Sequence, residues 1–202
     1  SQLRSPVLDD VGRLRVAHKV EGRLQHIEEL IESMLTFIRG GDGALGEFDV
    51  AGLMSELKTT LAPALADKGG TMMMMSDVPA SLTLVGARND LLSVLIAIAE
   101  NAIGLIDVPA IAVRVEADDR FVDIFVADNG PGIPREIESR LFDPFFSTRA
   151  NGTGLGLAIA AVTARNHGGD LTVQANEYGG ATFRLRLARY GAEDVAASRP
   201  LH

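Results

Sequence analysis

The sequence of 202 residues contains no cysteine, which excludes disulfides and thiolate metal sites and fits a cytoplasmic location. Its four histidines are scattered without the spacing of metal ligands. An excess of basic residues is also missing. The formal net charge is −8, which argues against direct binding of nucleic acid, because a phosphate backbone requires clustered lysine and arginine. Low-complexity blocks and internal repeats are absent as well.

No hydrophobic run is long enough to cross a bilayer. The most apolar stretch, 91–106, is shorter than a membrane span and carries Glu100 and Asn101 in its middle, so it is predicted to be a core helix. No signal peptide is visible, although the chain looks like an excised piece of a longer protein. We therefore expect a cytoplasmic fragment without membrane contact, from a parent protein that is either soluble or membrane-anchored.

Residues 1–39 are predicted to hold one long helix, from about Asp9 to Arg39. Its apolar residues recur at alternating intervals of three and four, which is typical of a coiled coil or helical bundle. Charged residues cover its other faces, so the helix must pack against other helices, and a homodimer would supply them. The alternative is a helix lying on its own domain. The apolar seam consists of Ala17, Val20, Leu24, Ile27, Ile31, Met34 and Ile38.

The remaining chain is predicted to form one domain between a glycine-rich linker at 40–46 and a flexible tail at 191–202. Helices are predicted at about 51–68, 88–105 and 155–167. Strands are predicted at about 48–50, 71–76, 82–85, 110–117, 121–127, 170–175 and 181–188. This order predicts an α+β domain over 47–190, a two-layer α/β sandwich with helices on one face of a mixed sheet.

The turn Asp128-Asn129-Gly130-Pro131-Gly132 follows directly on an apolar strand. A carboxylate at that point faces whatever occupies the end of the sheet. Gly130 and Gly132 remove side chains, so a flat ring could come close enough to donate a hydrogen bond to Asp128. A purely structural turn is the alternative.

A second motif, Gly152-Thr153-Gly154-Leu155-Gly156-Leu157, places three glycines at alternate positions where an apolar helix begins. Exposed backbone N–H groups and the helix dipole suit phosphates. A Rossmann site is disfavoured, because the spacing is GxGxG rather than GxGxxG and no strand immediately precedes it.

Glu100 and Asn101 form the third motif, in the middle of the apolar helix at 88–105. A buried carboxylate and amide would cost about 2 kcal/mol or more unless they are paired or ligated. The neutral side-chain oxygen of Asn101 suits Mg²⁺, a hard cation usually held by few protein oxygens, waters and phosphate. A core asparagine with satisfied hydrogen bonds is the alternative.

In this order, Asn101, the turn at 128–132, the run Leu141-Phe142-Asp143-Pro144-Phe145-Phe146 and the glycines at 152–157 resemble the N, G1, F and G2 boxes of sensor histidine kinases. Those kinases belong to a wider ATPase superfamily with gyrase, Hsp90 and MutL. The resemblance covers roughly residues 47–188. It implies the Bergerat-type ATP-binding fold, with ATP held between the N-box helix and a mobile lid over about 133–153.

By this resemblance, Asp128 would bind the adenine amino group, and Gly130 and Gly132 would let the base approach. Asn101 would hold Mg²⁺ against the phosphates, which would be faced by Gly152, Thr153, Gly154, Leu155 and Gly156. Arg149 stands where several relatives carry a basic lid residue, so its guanidinium could meet the γ-phosphate. A solvated loop arginine is the alternative for Arg149. Phe142, Phe145 and Phe146 are expected to anchor the lid on the core, and His167 to be a structural residue at a helix end.

The implied function is transfer of the γ-phosphoryl group of ATP·Mg²⁺ to a histidine of the dimerisation domain, for relay to a response regulator. Residues 1–39 are expected to be the second part of the dimerisation hairpin. The phosphoacceptor histidine would then precede Ser1, so this chain alone should not autophosphorylate. The dimer helix and Glu100-Asn101-Ala102 look most like those of kinases paired with σ54-dependent activators.

The resemblance is incomplete at two positions. Ala97 stands where family kinases usually have a second asparagine and gyrase-type ATPases a glutamate base, which argues against an ATP-hydrolysing clamp. Gly104 stands where many members carry a lysine. Both departures support an alternative function, a non-catalytic module of the same fold that senses nucleotide.

Overall fold

A computed structural model describes residues 43–149 and 152–189, together with five residues of the N-terminal segment. These five, Val16, Val20, Ile31, Met34 and Leu35, are helical and their side chains are exposed. The rest of the predicted dimerisation helix, residues 40–42 of the linker and the predicted tail lie outside the described residues. The homodimer seam therefore stays a prediction.

The described domain contains seven strands and four helices, and pairs of consecutive strands are separated by helices after the first strand. The elements are β1 (Gly46–Asp49), α1 (Val50–Asp67), β2 (Thr71–Met74), β3 (Thr83–Gly86), α2 (Arg88–Leu105), β4 (Ala110–Ala117), β5 (Phe121–Asp128), α3 (Arg135–Glu138), α4 (Gly156–Asn166), β6 (Asp170–Ala175) and β7 (Ala181–Ala188). The short helix α3 was not predicted and lies within the segment expected to be a mobile lid, about 133–153.

Five of the strands form a mixed sheet in the order β2-β4-β5-β7-β6. β2 runs parallel to β4, and the other neighbours are antiparallel. Strands β1 and β3 form a separate antiparallel pair. Helices α1, α2 and α4 pack into the same buried core as one face of this sheet. The predicted α+β fold, a two-layer sandwich with a mixed sheet, is confirmed.

The core follows from the periodicity of each element. On β5, Val122, Ile124 and Val126 are buried at every second position. On α1, buried residues recur every three or four positions, at Val50, Leu53, Met54, Leu57, Leu61 and Leu65. Alternation places one side of a strand on the core, and a spacing of three and four does the same for a helix. None of the described helices is long and apolar enough to span a membrane.

Two contacts position α2, the helix that lines the functional site. At its C-terminal end, the Lys68 ammonium donates to the carbonyl oxygens of Ile103 at 2.6 Å and Ile106 at 3.0 Å. At its N-terminal end, the backbone N–H of Ala87 donates to Nε2 of His167 at 2.9 Å, and Nδ1 of His167 lies 2.8 Å from the Thr163 carbonyl. The imidazole thus acts as a buried structural link between α4 and the start of α2.

The sheet face away from the helices carries an ion-pair network centred on Asp123. Its Oδ1 accepts from Nε of both Arg184 and Arg186 at 2.9 Å, and its Oδ2 accepts from Nη2 of the same two arginines. Partial burial alone would raise the pKa of Asp123. The hydrogen bonds from Arg186 and Arg184 outweigh burial, so the pKa lies below its usual value.

Candidate functional site

A cleft runs along α2, beneath the segment 131–149 and beside the start of α4. It comprises two adjoining cavities of about 330 Å³ and about 210 Å³. The larger, here called the apolar half, is lined by Leu105, Ile106, Ile133, Phe183 and Asp128, among others. The smaller, the glycine half, includes Gly152, Gly154, Gly156 and several polar side chains. Six residues line both halves, so the two cavities are parts of one cleft: Asn101, Ile137, Leu141, Thr148, Arg149 and Leu157.

Asp128, the last residue of β5, presents one free carboxylate oxygen to the apolar half. Its Oδ1 accepts from the backbone N–H groups of Gly130 at 2.8 Å and Ala181 at 3.2 Å. Its Oδ2 has no hydrogen-bond partner within the described ranges 43–149 and 152–189. Because two backbone donors fix the carboxylate, Oδ2 can accept a hydrogen bond from a ligand in this half. Gly130 itself lines neither cavity and acts through Asp128.

The loop between β6 and β7 holds Asp128 in place, and sequence analysis did not single it out. The Asn176 amide donates to the Asp128 carbonyl at 2.8 Å and to the Ala181 carbonyl at 3.1 Å. A side chain at Gly180 would collide with the Asp128 carbonyl oxygen. The available signal was the pair Gly179-Gly180 between two strands, which marks a turn and a close approach of backbone.

Gly132 lies against the same loop. Its φ of +74° is left-handed, and a Cβ there would lie 2.8 Å from the Gly179 carbonyl oxygen. Glycine is therefore required at 132 both for conformation and for space. Gly132 lines the apolar half, and the Gly179-Gly180 turn packs behind it.

Asn101 projects into the middle of the cleft, where it lines both halves. Its Nδ2 donates to the Ala97 carbonyl at 2.9 Å, whereas its Oδ1 has no partner in the described part of the chain. The expectation that Glu100 and Asn101 are both buried is wrong for Glu100, which is exposed, while Asn101 is half-buried. Glu100 lines the glycine half and remains open to solvent.

The glycine half is built by the segment 152–156 as it enters α4. Gly154 has a φ of +67°, and its carbonyl accepts from the Phe145 N–H at 2.9 Å. No side chain in the described part of the chain caps the N-terminus of α4, so its first-turn N–H groups stay available to an anion. Gly152, Thr153, Gly154 and Gly156 all line this half. Leu155 does not, because its side chain is fully buried and its N–H donates to Thr153 Oγ1 at 3.2 Å.

Arg149 lines both halves of the cleft, and its side chain packs against the backbone of α2. Its Nη2 donates to the carbonyl oxygen of Asn101 and lies 3.4 Å from that of Glu100. Its guanidinium occupies the space beside Gly104, where a Cβ would lie 2.7 Å from Nη1. The side chain is half-buried in this position.

The three phenylalanines of the F-box run differ in their environments. Phe142 packs against the hydrophobic core. Phe146 lines the glycine half, with the Arg140 guanidinium 4.5 Å from its ring centre. The expectation that all three anchor the segment on the core is wrong for Phe145, which is 62% exposed and has a φ of +66°. The Phe145 backbone lies so close to Gly154 that a Cβ at 154 would collide with the Phe145 carbonyl carbon.

The donor set allows only a shared metal site. In the described residues, no group of three or more histidine, aspartate or glutamate side chains could hold a metal ion. The Asn101 Oδ1 oxygen is a single hard donor, and Mg²⁺ typically takes one or two protein oxygens and completes its octahedron with waters and substrate phosphates. The residues present thus fit Mg²⁺ only when it enters together with a phosphorylated ligand.

Comparison with known proteins places this geometry in a family. Residues 86–190, just over half of the chain, match the family model of histidine kinase-, DNA gyrase B- and HSP90-like ATPases. The chain belongs to this family. Its matched region begins at the end of β3 and includes α2, the Asp128 turn and the glycine segment.

Curated relatives of this family member are sensor kinases. Sensor histidine kinase RcsC of Salmonella typhimurium is 34% identical over 155 residues, which cover 73% of this chain and 16% of RcsC. Signal transduction histidine-protein kinase AtoS of Escherichia coli is 31% identical over 168 residues, covering 81% of the chain and 27% of AtoS. Sporulation kinase A of Bacillus subtilis is 27% identical, with shares of 93% and 31%. The chain thus spans less than a third of the length of these relatives.

Solved histidine kinases share the fold. The nucleotide-free catalytic domain of ThkA superposes with a TM-score of 0.67 at 27% identity, covering 72% of this chain and 96% of that one. Full-length ShkA in complex with AMPPNP gives a TM-score of 0.74 at 26% identity, with shares of 92% and 41%. Within the family, the chain carries the catalytic ATP-binding domain of a sensor histidine kinase.

Proposed function

We propose that the cleft binds ATP with Mg²⁺ and delivers its γ-phosphoryl group to a histidine. The observation that carries this proposal is the placement of complementary groups along one cleft. A fixed carboxylate acceptor stands in the apolar half, the uncapped N-terminus of α4 stands at the glycine half, and the free Oδ1 of Asn101 lies between them. This sequence of groups matches a base, a metal ion and a polyphosphate in that order.

In this proposal, Oδ2 of Asp128 accepts a hydrogen bond from the exocyclic amino group of adenine. Leu105, Ile106, Ile133 and Phe183 exclude water around the base, and Gly132 leaves room for it. Backbone N–H groups of 152–156 and the α4 dipole bind the phosphates, with Leu155 contributing only main-chain groups. Arg149 adds the one positive charge among the described residues that line the glycine half.

Mg²⁺ would be held by Asn101 Oδ1 and the phosphates, and would supply charge neutralisation during transfer. The chain contributes position and electrostatics rather than a nucleophile, because the attacking imidazole belongs to the dimerisation domain. We place that histidine outside this chain. Ala97 lies beside Gly156 in the glycine half. Its methyl side chain cannot act as a general base for water, so transfer of the phosphoryl group to water is disfavoured.

The wider assignments follow from the same proposal. The parent protein would be a cytoplasmic-facing kinase that dimerises through the helix at 1–39, becomes phosphorylated on histidine, and passes the phosphoryl group to a response regulator. ThkA has been solved in complex with the response regulator protein TrrA, which supports this class of partner. Within this class, we favour a σ54-dependent activator, because the sequences of the dimer helix and of Glu100-Asn101-Ala102 resemble those of kinases paired with such activators.

Calorimetric titration with ATP in the presence and absence of Mg²⁺ tests the binding step. The matched variants are Asp128→Ala and Asp119→Ala, since Asp119 lies at the other end of β5 in the turn after β4. We expect binding by the unmodified chain and by Asp119→Ala, and loss of binding by Asp128→Ala with its fold retained in circular dichroism. Failure of the unmodified, folded chain to bind ATP would refute the proposal.

A second candidate is a nucleotide-sensing module that never transfers phosphate, which Ala97 and Gly104 support. Radiolabelled γ-phosphate distinguishes the two. With a histidine-containing dimerisation domain added in trans, the kinase predicts label on that domain, lost in Asn101→Ala. A module that only senses nucleotide binds ATP yet leaves the added domain unlabelled.

A further inference from the structure

Gly104 leaves a vacant position on α2 that the guanidinium of Arg149 fills. A Cβ at Gly104 would lie 2.7 Å from Nη1, 2.9 Å from Cζ and 3.1 Å from Nη2 of Arg149. The guanidinium therefore lies against the bare helix backbone, where Nη2 donates to the Asn101 carbonyl oxygen. Any side chain at 104 would exclude the guanidinium from this position.

Arg149 is the side-chain cation that the cleft lining offers at this point. α2 has no basic residue in its last turn; Lys68 binds the carbonyl oxygens of Ile103 and Ile106 from outside the cleft lining, whereas Arg149 binds that of Asn101. The Glu100 carboxylate also belongs to a residue that lines the glycine half. Among the described lining residues of both halves, Arg149 alone is positively charged. Without it, the described lining residues would present a polyphosphate with the carboxylates of Glu100 and Asp128 and no side-chain cation.

The location of Arg149 indicates which phosphates it reaches. It is one of the six residues shared by the apolar and glycine halves, so it lies at their junction rather than at the far end of the glycine half. A base in the apolar half puts the α- and β-phosphates at this junction and the γ-phosphate beyond it. Arg149, held on the backbone of α2, thus faces the diphosphate portion that ATP and ADP have in common.

We infer that Gly104 is a positioning residue, whose missing side chain seats Arg149 against the diphosphate portion common to ATP and ADP. This inference rests on the proposed binding of ATP in the cleft and refines it. It differs from a γ-phosphate contact, which would discriminate ATP from ADP. The loop supplies the guanidinium of Arg149, and α2 supplies the space beside Gly104 that holds it.

Gly104→Ala is a selective perturbation of this arrangement. The atoms that its methyl group would displace are the far end of a flexible side chain, so the fold can accommodate it. Alanine also has a higher helix propensity than glycine, by up to about 1 kcal/mol in a helix interior. The variant should therefore fold at least as well as the unmodified chain, while the guanidinium is expelled from its seat.

The test is a double-variant cycle measured by calorimetry with ATP·Mg²⁺ and with ADP·Mg²⁺. Arg149→Ala and Gly104→Ala should each lower the affinity for both nucleotides by about tenfold. This is the low end for loss of a charge-assisted hydrogen bond, because the side chain is only half-buried. The double variant should be no weaker than either single variant, because both remove the same contact. Arg120→Ala, on the turn before β5, serves as the arginine control and should bind normally.

A relocated charge provides the decisive comparison. Gly104→Lys combined with Arg149→Ala should recover most of the lost affinity, since the lysine at position 104 places its ammonium close to where the guanidinium was. Effects on ATP alone would assign Arg149 to the γ-phosphate, and additive losses would show that Gly104 acts independently. Tighter nucleotide binding by Gly104→Ala would mean that Arg149 occupies the position beside Gly104 only in the absence of nucleotide. Each of these results overturns the inference.

The controls separate this inference from the proposed function. If the unmodified chain binds ATP and Asp128→Ala does not, the proposed site stands. Wild-type affinity in both Arg149→Ala and Gly104→Ala would then overturn this inference alone. A folded, unmodified chain that binds neither nucleotide would overturn both.

Discussion

Gly154 and Gly69 offer a matched pair for testing how the glycine segment is held. Both are left-handed, with φ of +67° and +62°. A Cβ at Gly154 would collide with the Phe145 carbonyl carbon and lie 2.6 Å from the Phe146 nitrogen, whereas a Cβ at Gly69 meets nothing within 4 Å. Gly69 follows the end of α1, away from the cleft. The two alanine variants therefore share one backbone cost and differ in one steric contact.

The expected magnitudes follow from these distances. Placing alanine in the left-handed region costs about 1–2 kcal/mol, and this should be the whole effect of Gly69→Ala. Gly154→Ala must also push two backbone segments apart by several tenths of an ångström, and overpacking of this kind typically costs a further ~1–3 kcal/mol. Because the displaced segment lines the glycine half, nucleotide binding should weaken as well.

Urea unfolding measures the free-energy change for both variants, and calorimetry measures ATP binding. We expect Gly154→Ala to be the less stable variant by at least about 1 kcal/mol and to bind ATP more weakly. Gly69→Ala should bind ATP as the unmodified chain does. Equal loss of stability in the two variants, with unchanged binding in both, would refute the idea that close approach to Phe145 and Phe146 fixes the glycine segment.

Three further predictions concern single side chains. Asp128→Asn should weaken ATP binding by roughly 10- to 150-fold, because an amide donor can replace Oδ2 while its oxygen still accepts from Gly130 and Ala181; unaltered affinity would exclude a hydrogen bond to adenine. The lowered pKa of Asp123 means that its ion pairs contribute stability above about pH 4 and lose it as the pH falls through the folded-state pKa. The stability gap between the unmodified chain and Asp123→Asn, about 2 kcal/mol at neutral pH, should therefore shrink on acidification, and a gap that urea unfolding finds constant with pH would contradict the network. His167→Ala should cost about 1–3 kcal/mol in thermal unfolding, since the Ala87 N–H would lose its acceptor in a buried position; an unchanged midpoint would mean that water replaces the ring.

Local patterns in the sequence were sufficient for most of the secondary structure. The helix predicted at 88–105 coincides with α2, and the strand predicted at 110–117 coincides with β4. Hydrophobic periodicity and turn residues such as glycine act over a few residues, so a single sequence contains these signals. The four-residue helix α3 was missed because it is too short to show a helical period and buries none of its residues.

Motif order also identified the parts of the cleft, since Asn101, Asp128 and the glycines at 152–156 all lie beside it. Its detailed construction was not predictable. Asn176 and Ala181 reach Asp128 across 48 and 53 residues, and these contacts exist only because β7 pairs with β5. No local periodicity encodes which strands become neighbours.

The sequence by itself therefore determined most of the elements, the family and the residue types available for ATP, because these depend on short-range pattern and on composition at fixed spacing. Tertiary structure alone decided that Glu100 is exposed while Asn101 faces the cleft, and that Phe145 points outwards beside Gly154. It also brought Arg149 onto Gly104. Each of these outcomes depends on packing between elements that are distant along the chain, and such packing is set by the whole core rather than by any one segment.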